Sequence, residues 1–107
     1  MANTFKNAGV AVGTGRTTVY TTPAATSTVV NAIYLSNVDG SASVDASLEQ
    51  TVDGGVTYFY IGKTIPVPPD STLVIDKAVN LEAGDILAAT ASATGDLQCV
   101  VGVLEIT

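Results

Sequence analysis

Apolar and polar side chains alternate with a period of two along much of this 107-residue chain, which is the spacing of a β-strand. The alternation is clearest over 43–50, where Val44, Ala46 and Leu48 share one side and polar residues the other. No segment has the period of a helix, so we expect an all-β domain of about eight strands, an antiparallel β-sandwich with a jelly-roll-like fold. The predicted strand segments are 10–12, 17–21, 26–38, 43–50, 56–63, 72–75, 79–82, 86–92 and 97–106.

Short clusters of Asp, Gly and Pro separate these segments. Asp39 with Gly40 predicts a hairpin turn, and the glycines of 53–55 predict a second turn, because both pairs tolerate a positive φ. Three of the residues in 65–70 are prolines, which lack a backbone donor. That segment is therefore expected to be an extended crossing between sheets.

The first nine residues are polar and carry few signals of a strand. We therefore predict an N-terminal arm over 1–9, ordered only by a neighbour, followed by a single β-sandwich domain over 10–107.

Composition indicates a protein that lives in contact with other proteins. Val, Thr and Ile make up 36 residues, and only 13% of the chain is charged, against ~25% in an ordinary soluble domain. A surface with few ions is easily desolvated when a partner covers it. A sparsely charged monomer has the same composition, so this alternative stays open here.

The formal net charge of −6 argues against nucleic acid as a partner, because phosphate binding needs clustered cations and the chain has only four. No apolar run approaches a membrane span. The single cysteine, Cys99, cannot form a disulfide within the chain, which is compatible with synthesis in a reducing cytoplasm.

The chain contains no histidine, which removes the commonest general base and zinc ligand. Cys99 alternates with apolar neighbours and is expected to be a buried, inert side chain. The acidic residues at turns lack the spacing of known calcium loops. We therefore expect no catalytic residue, no metal site, no cofactor and no enzymatic activity. A hydrolase with two converging carboxylates is the enzyme alternative.

Four side chains are candidates for a protein interface. Phe5 and Lys6 lie in the predicted arm, and Tyr58 and Tyr60 share one side of a predicted strand. The two tyrosines suit a platform for docking a protein or stacking a sugar, since an aromatic ring offers a large contact area with a polar tip. The alternative is that one of them packs in the core.

The chain as a whole resembles a group of small bacteriophage virion structural proteins. The matching stretches are VYTTPAATSTVVNAIY at 19–34, the glycine turn and aromatics at 53–60, IPVPP at 65–69, VNLEAGDIL at 79–87 and VVGVLEI at 100–106.

The resemblance implies a head decoration (cement) protein that bridges shell subunits on the outside of a phage head. Its partners would be the major capsid protein or other virion proteins, and it would form a homo-oligomer, for which a trimer is favoured. The alternatives are a neck, tail or fibre component, or a carbohydrate-binding or adhesion module. If the chain is a virion protein, we expect it to be synthesised in the host cytoplasm and located in the phage particle.

Overall fold

The computed structural model describes residues 2–107, and within that range the regular structure consists of nine β-strands. None of these residues belongs to a helix that could span a lipid bilayer. The strands are β1 (Asn3–Val12), β2 (Thr17–Thr21), β3 (Ser27–Asn37), β4 (Val44–Thr51), β5 (Tyr58–Val67), β6 (Thr72–Ile75), β7 (Val79–Leu81), β8 (Ile86–Ala91) and β9 (Leu97–Ile106).

The strands form two antiparallel sheets. Sheet A has the order β1-β9-β3-β6, with β7 also paired to β3, and sheet B has the order β2-β8-β4-β5. The short strands β6 and β7 pair with successive parts of β3, so nine segments fill eight strand positions. The chain changes sheet at most of its connections. This arrangement confirms the predicted all-β, jelly-roll-like sandwich.

The core lies between the sheets, and β9 shows how the sequence builds it. Alternate residues of β9 are buried from Leu97 to Glu105, while the residues between them face outward. β1 and β3 pair with β9 on its two sides, and their inward residues follow the same alternation. Sheet B contributes Leu48 and Leu87, both fully buried. Cys99 is buried as predicted, and burial raises the pKa of its thiol to about 12.

The N-terminal segment differs from the predicted arm. Asn3 to Gly9 are the first seven residues of β1, which pairs with β9 in one unbroken register from Asn3 to Val12. Met1 lies outside the described residues. The segment forms a strand because β9 supplies the hydrogen-bond partners, which local sequence preference does not reveal. Sheet A therefore begins at Asn3, and not at the predicted domain boundary.

One of the two predicted turns is confirmed and the other is wrong. Gly54 and Gly55 have φ values of 82° and 103° and link β4 to β5, as predicted. The hairpin predicted at 39–40 is wrong, because β3 and β4 lie in different sheets. Buried Asn37 holds this crossing through hydrogen bonds of 2.9 Å from its amide to the carbonyls of Ala42 and Val67.

The proline segment begins its crossing later than predicted. Pro66 is part of β5, opposite Asp45 of β4. It is tolerated there because β5 is an edge strand, where a missing backbone donor costs no ladder bond. The chain leaves sheet B only after Val67.

Replacing a core side chain should test the packing. Leu48→Ala removes a fully buried side chain of β4, and we expect it to lower the free energy of unfolding by roughly 2–5 kcal/mol. Val56→Ala is the control, because Val56 is 78% exposed, and it should change stability by no more than about 0.5 kcal/mol. Urea unfolding measures both, and equal effects would contradict the core described above.

Candidate interaction surfaces

The outer face of sheet A is broad and apolar at its centre. Val100 of β9 lies between Tyr34 of β3 and Gly9 of β1, and Tyr34 in turn lies beside Val74 of β6. Val74, Tyr34 and Val100 are each 42–49% exposed. Together they form a row of apolar side chains across three strands, open to solvent, which Gly9 continues to β1 without a side chain.

This outer face carries no charge among residues 2–107. Its outward positions, read from the pairing registers, are Asn3, Phe5, Asn7, Gly9 and Ala11 on β1, Gln98, Val100, Gly102, Leu104 and Ile106 on β9, Ser27, Val29, Ala32, Tyr34 and Ser36 on β3, Thr72 and Val74 on β6, and Asn80 on β7. We call this surface the uncharged face. A partner that covered it would displace water from apolar and neutral polar groups alone, without desolvating an ion.

The outer face of sheet B is different, because charged residues lie on it. Glu49 of β4 is only 5% exposed, since Arg16 lies over it at the start of β2. The guanidinium donates to both carboxylate oxygens, from Nε at 3.2 Å and from Nη2 at 3.1 Å. The same guanidinium stacks 3.7 Å from the centre of the Tyr58 ring. Arg16 therefore links β2, β4 and β5 across the surface of the sheet.

Tyr58 and Tyr60 lie on this face of sheet B, as their shared parity predicted, and neither packs in the core cluster. They differ in access to solvent. Arg16 covers the ring of Tyr58, whereas Tyr60 is 56% exposed, with the ammonium of Lys63 5.3 Å from its ring centre. A sugar could stack on Tyr58 only after displacing Arg16, so the pair does not form an open aromatic platform.

The four predicted interface residues do not come together. Phe5 lies on the uncharged face and is 79% exposed, whereas the neighbouring Lys6 lies on the opposite side of β1, where its ammonium pairs with Glu105. Tyr58 and Tyr60 belong to the other sheet. Phe5 and Tyr60 are well exposed, and a role for any of the four in an interface stays a prediction.

Lys6 takes part in a part-buried polar cluster between the sheets, although its own side chain is 54% exposed. Its ammonium lies 3.0 Å from Glu105, which is 6% exposed and also accepts a 2.6 Å hydrogen bond from the hydroxyl of Tyr20. Thr28 completes the cluster at 2.9 Å from Tyr20. The hydrogen bonds from Tyr20 and Lys6 hold the pKa of Glu105 below its ordinary value. Burial, followed by the bond to Glu105, raises the pKa of Tyr20 to about 12.

A shallow, open depression at one end of the sandwich is the remaining candidate. Asp53, Glu82 and Asp85 line it. Both oxygens of Asp85 accept backbone hydrogen bonds, from Gly54 and from Glu82, so this carboxylate serves to join two turns. Over residues 2–107 there is no cluster of side chains that could hold a metal ion.

Sequence reasoning missed the uncharged face and the contacts of Arg16. Arg16 and Glu49 are 33 residues apart, and Glu49 sits on a strand side that the alternation assigns to solvent. In the sequence, the uncharged face corresponds to alternate residues of five separate strands, each of which lacks a charge. Recognising it requires knowing which strands share a sheet.

Comparisons with known proteins find a likeness at the level of structure. No family model and no curated protein matches the chain. A chain in the acidic stable capsid structure of Helicobacter pylori bacteriophage KHP30 aligns with a TM-score of 0.57 and 13% identity, over 100% of this chain and 89% of that chain. This likeness shows a shared fold over the whole length.

Two further solved structures are more distant. A pentameric capsid protein from metagenomic phage sequences aligns with a TM-score of 0.48 and 25% identity, over 92% of this chain and 59% of that chain. Eiger TNF from S. frugiperda aligns with a TM-score of 0.45 and 18% identity, over 84% of this chain and 64% of that chain.

The part-buried cluster of Tyr20, Glu105 and Lys6 predicts a specific pH dependence. Because folding raises the pKa of Tyr20 from 10.0 to about 12, the unfolded chain loses this proton first. The stability due to Tyr20 is complete below pH 10 and is lost as the pH rises toward 12. Tyr20→Phe should therefore flatten the alkaline decrease in the urea midpoint. Parallel curves for the two proteins would show that Tyr20 titrates as it does in the unfolded chain.

Removing the cation above Glu49 should destabilise the sandwich. Arg16→Ala leaves a buried carboxylate without its two charge-assisted hydrogen bonds and exposes the ring of Tyr58, so we expect a lower thermal midpoint. Adding Glu49→Gln should restore part of the loss, because the unpaired charge is then gone. Lys77→Ala removes the same charge from an exposed loop and is the control. A midpoint equal to that control would refute the role given to Arg16.

Proposed function

We propose that this chain is a non-enzymatic structural subunit of a bacteriophage particle, and specifically a decoration or cement protein on the outside of the head. The observation that carries the proposal is the uncharged face, a five-stranded surface on which residues 2–107 place no charged side chain in an acidic chain. Contiguous exposed apolar surface of this kind marks a site of protein contact. We assign the uncharged face to contact with shell proteins.

The fold supports this assignment. The chain matches, over its whole length, a chain from a phage capsid structure. At 13% identity that likeness concerns the fold alone, but it agrees with the independent resemblance in the sequence to phage virion proteins. A stable fold and a neutral contact surface are sufficient for such a subunit, because a structural role requires no catalytic residues.

The distribution of charge favours the outside of the shell. Asp45 and Glu49 lie on the outer face of sheet B, and seven other acidic residues lie in turns and loops. These seven are Asp39, Asp53, Asp70, Asp76, Glu82, Asp85 and Asp96. A subunit bound through the uncharged face would direct its sheet B surface to solvent. An acidic protein would be repelled by packaged DNA inside the shell.

Bound in this way, each copy would stabilise the assembled shell by mass action, because it binds neighbouring major capsid subunits only when they are together. Each contact can be modest when many act at once. The same surface would also serve a neck, tail or fibre component. Locating the density of this chain within intact particles separates these positions.

A single charge on the uncharged face tests the proposal. Tyr34→Glu places a carboxylate at its centre, and binding to particles that lack the protein should weaken by roughly tenfold or more, since docking would have to desolvate that charge. Thr90→Glu adds the same charge to the outer face of sheet B and should bind as the unaltered protein does. Co-sedimentation with particles measures occupancy, and circular dichroism checks that both variants fold. Equal occupancy of the two variants would remove the uncharged face from the docking site.

A further inference from the structure

The four edges of the two sheets are protected to different degrees. β2 is five residues long with a register shift between Thr18 and Tyr20, and β6 and β7 are shorter still. β5 contains Pro66 and two register shifts against β4. Bulges, prolines and short strands all prevent an edge from pairing with another chain. Three edges are therefore guarded.

The fourth edge, β1, has none of these three features. It runs for ten residues in unbroken register with β9 and contains no proline. Its only charged residue, Lys6, lies on the inward side of β1, where its side chain is 54% exposed and Glu105 of the same chain neutralises its charge. β1 is thus a long, regular edge open to a further strand.

The hydrogen bonds of the ladder show which backbone groups of β1 are available. Ala2 and Thr107 exchange both backbone bonds, at 3.0 Å and 2.9 Å, so they are a hydrogen-bonded pair. Such pairs alternate along an antiparallel ladder, and every even-numbered residue of β1 accordingly bonds to β9. The odd-numbered residues point their N–H and C=O groups at the free edge. These residues are Asn3, Phe5, Asn7, Gly9 and Ala11.

We propose that β1 of one copy pairs with β1 of a second copy, antiparallel, about a two-fold axis at Asn7. In this register Phe5 of each copy lies opposite Gly9 of the other, and Asn3 lies opposite Ala11. The large exposed ring of Phe5 thus meets the residue without a side chain, an arrangement that stabilises glycine in a strand. A two-fold contact requires a self-complementary surface of this kind.

Charge disfavours the register in which the axis lies at Lys6. With the axis at Asn7, Lys6 faces Ala8 of the other copy, whereas a shift that placed the axis at Lys6 would set the two lysines directly opposite each other. Like charges in that position destabilise a pair of strands. The acidic residues of the chain lie away from β1 on sheet B, in loops, or in the ion pair with Lys6, so two copies with a charge of −6 can approach along this edge.

Pairing through β1 would join two five-stranded sheets into one continuous sheet, with the uncharged face extended across both copies. The inference does not depend on attachment to a particle, because it concerns the isolated protein. The proposed oligomer is therefore a dimer. The sequence resemblance favours a trimer, but no particular residue supports that expectation.

Proline substitution at the free edge distinguishes this mode of pairing from other contacts. Asn7→Pro removes a backbone donor that points at the second copy and leaves the bonds to β9 intact, so it should raise the dimer dissociation constant by roughly tenfold or more. Asn7→Ala keeps the donor and should dimerise as the unaltered protein does. Sedimentation equilibrium measures the mass of each protein against that of the 10.8 kDa chain. Circular dichroism confirms that both variants are folded.

A second variant and a second measurement complete the test. Phe5→Ala leaves the backbone unchanged and should also weaken the dimer, because it empties the contact with Gly9. In the dimer, the amides of Phe5, Asn7 and Gly9 should exchange hydrogen more slowly than in a dilute monomer. A protein that stays monomeric up to its solubility limit overturns the proposal. A trimer unaffected by Asn7→Pro, or equal dimerisation of the proline and alanine variants, does the same.

Discussion

The antiparallel pairing of β9 with β1 and β3 is the interaction on which the rest of the structure depends. It matches the inward and outward sets of three long strands, with one bulge between Val30 and Ala32 of β3, so that one set of side chains fills the core and the other forms the outer surface of sheet A. A slip of one residue would exchange the two sets. Buried Val101 and exposed Val100 are chemically identical neighbours, and only this register assigns one to the core and the other to the uncharged face.

The few charges of the chain are used mainly to hold the fold. Two of its four cations, Lys6 and Arg16, are paired with Glu105 and Glu49, two carboxylates that are nearly buried. Each carboxylate lies in a different sheet, and each cation comes from an edge strand or the residue before it. The ion pairs therefore fasten edge strands to sheet interiors. Because these cations pair with Glu49 and Glu105, the two nearly buried carboxylates are neutralised and the outer surface of sheet A stays neutral.

The alternation of side chains predicted the class of fold and most of the strands because it is a local property. The strands over 17–21, 72–75 and 97–106 agree with the sequence prediction at both ends. β1 was missed because Asn3 to Gly9 form a strand only through the ladder with β9, which is distant in sequence. The turn at 39–40 was misassigned because its composition suits a hairpin, while the tertiary bonds of Asn37 direct the chain to the other sheet. The candidate surfaces depend on such distant pairings, and the sequence therefore did not reveal them.

The uncharged face and the free edge of β1 meet at the same strand, and this has a consequence for assembly. The side chains of Phe5 and Asn7 belong to the face, while their backbone groups belong to the edge. Edge pairing consumes hydrogen bonds in the plane of the sheet, and it leaves the face above that plane uncovered. A pair of copies joined at β1 would thus present a neutral surface twice as wide to a third protein. Such a wider surface suits a subunit that bridges neighbours in a shell, since one rigid body then contacts both of them.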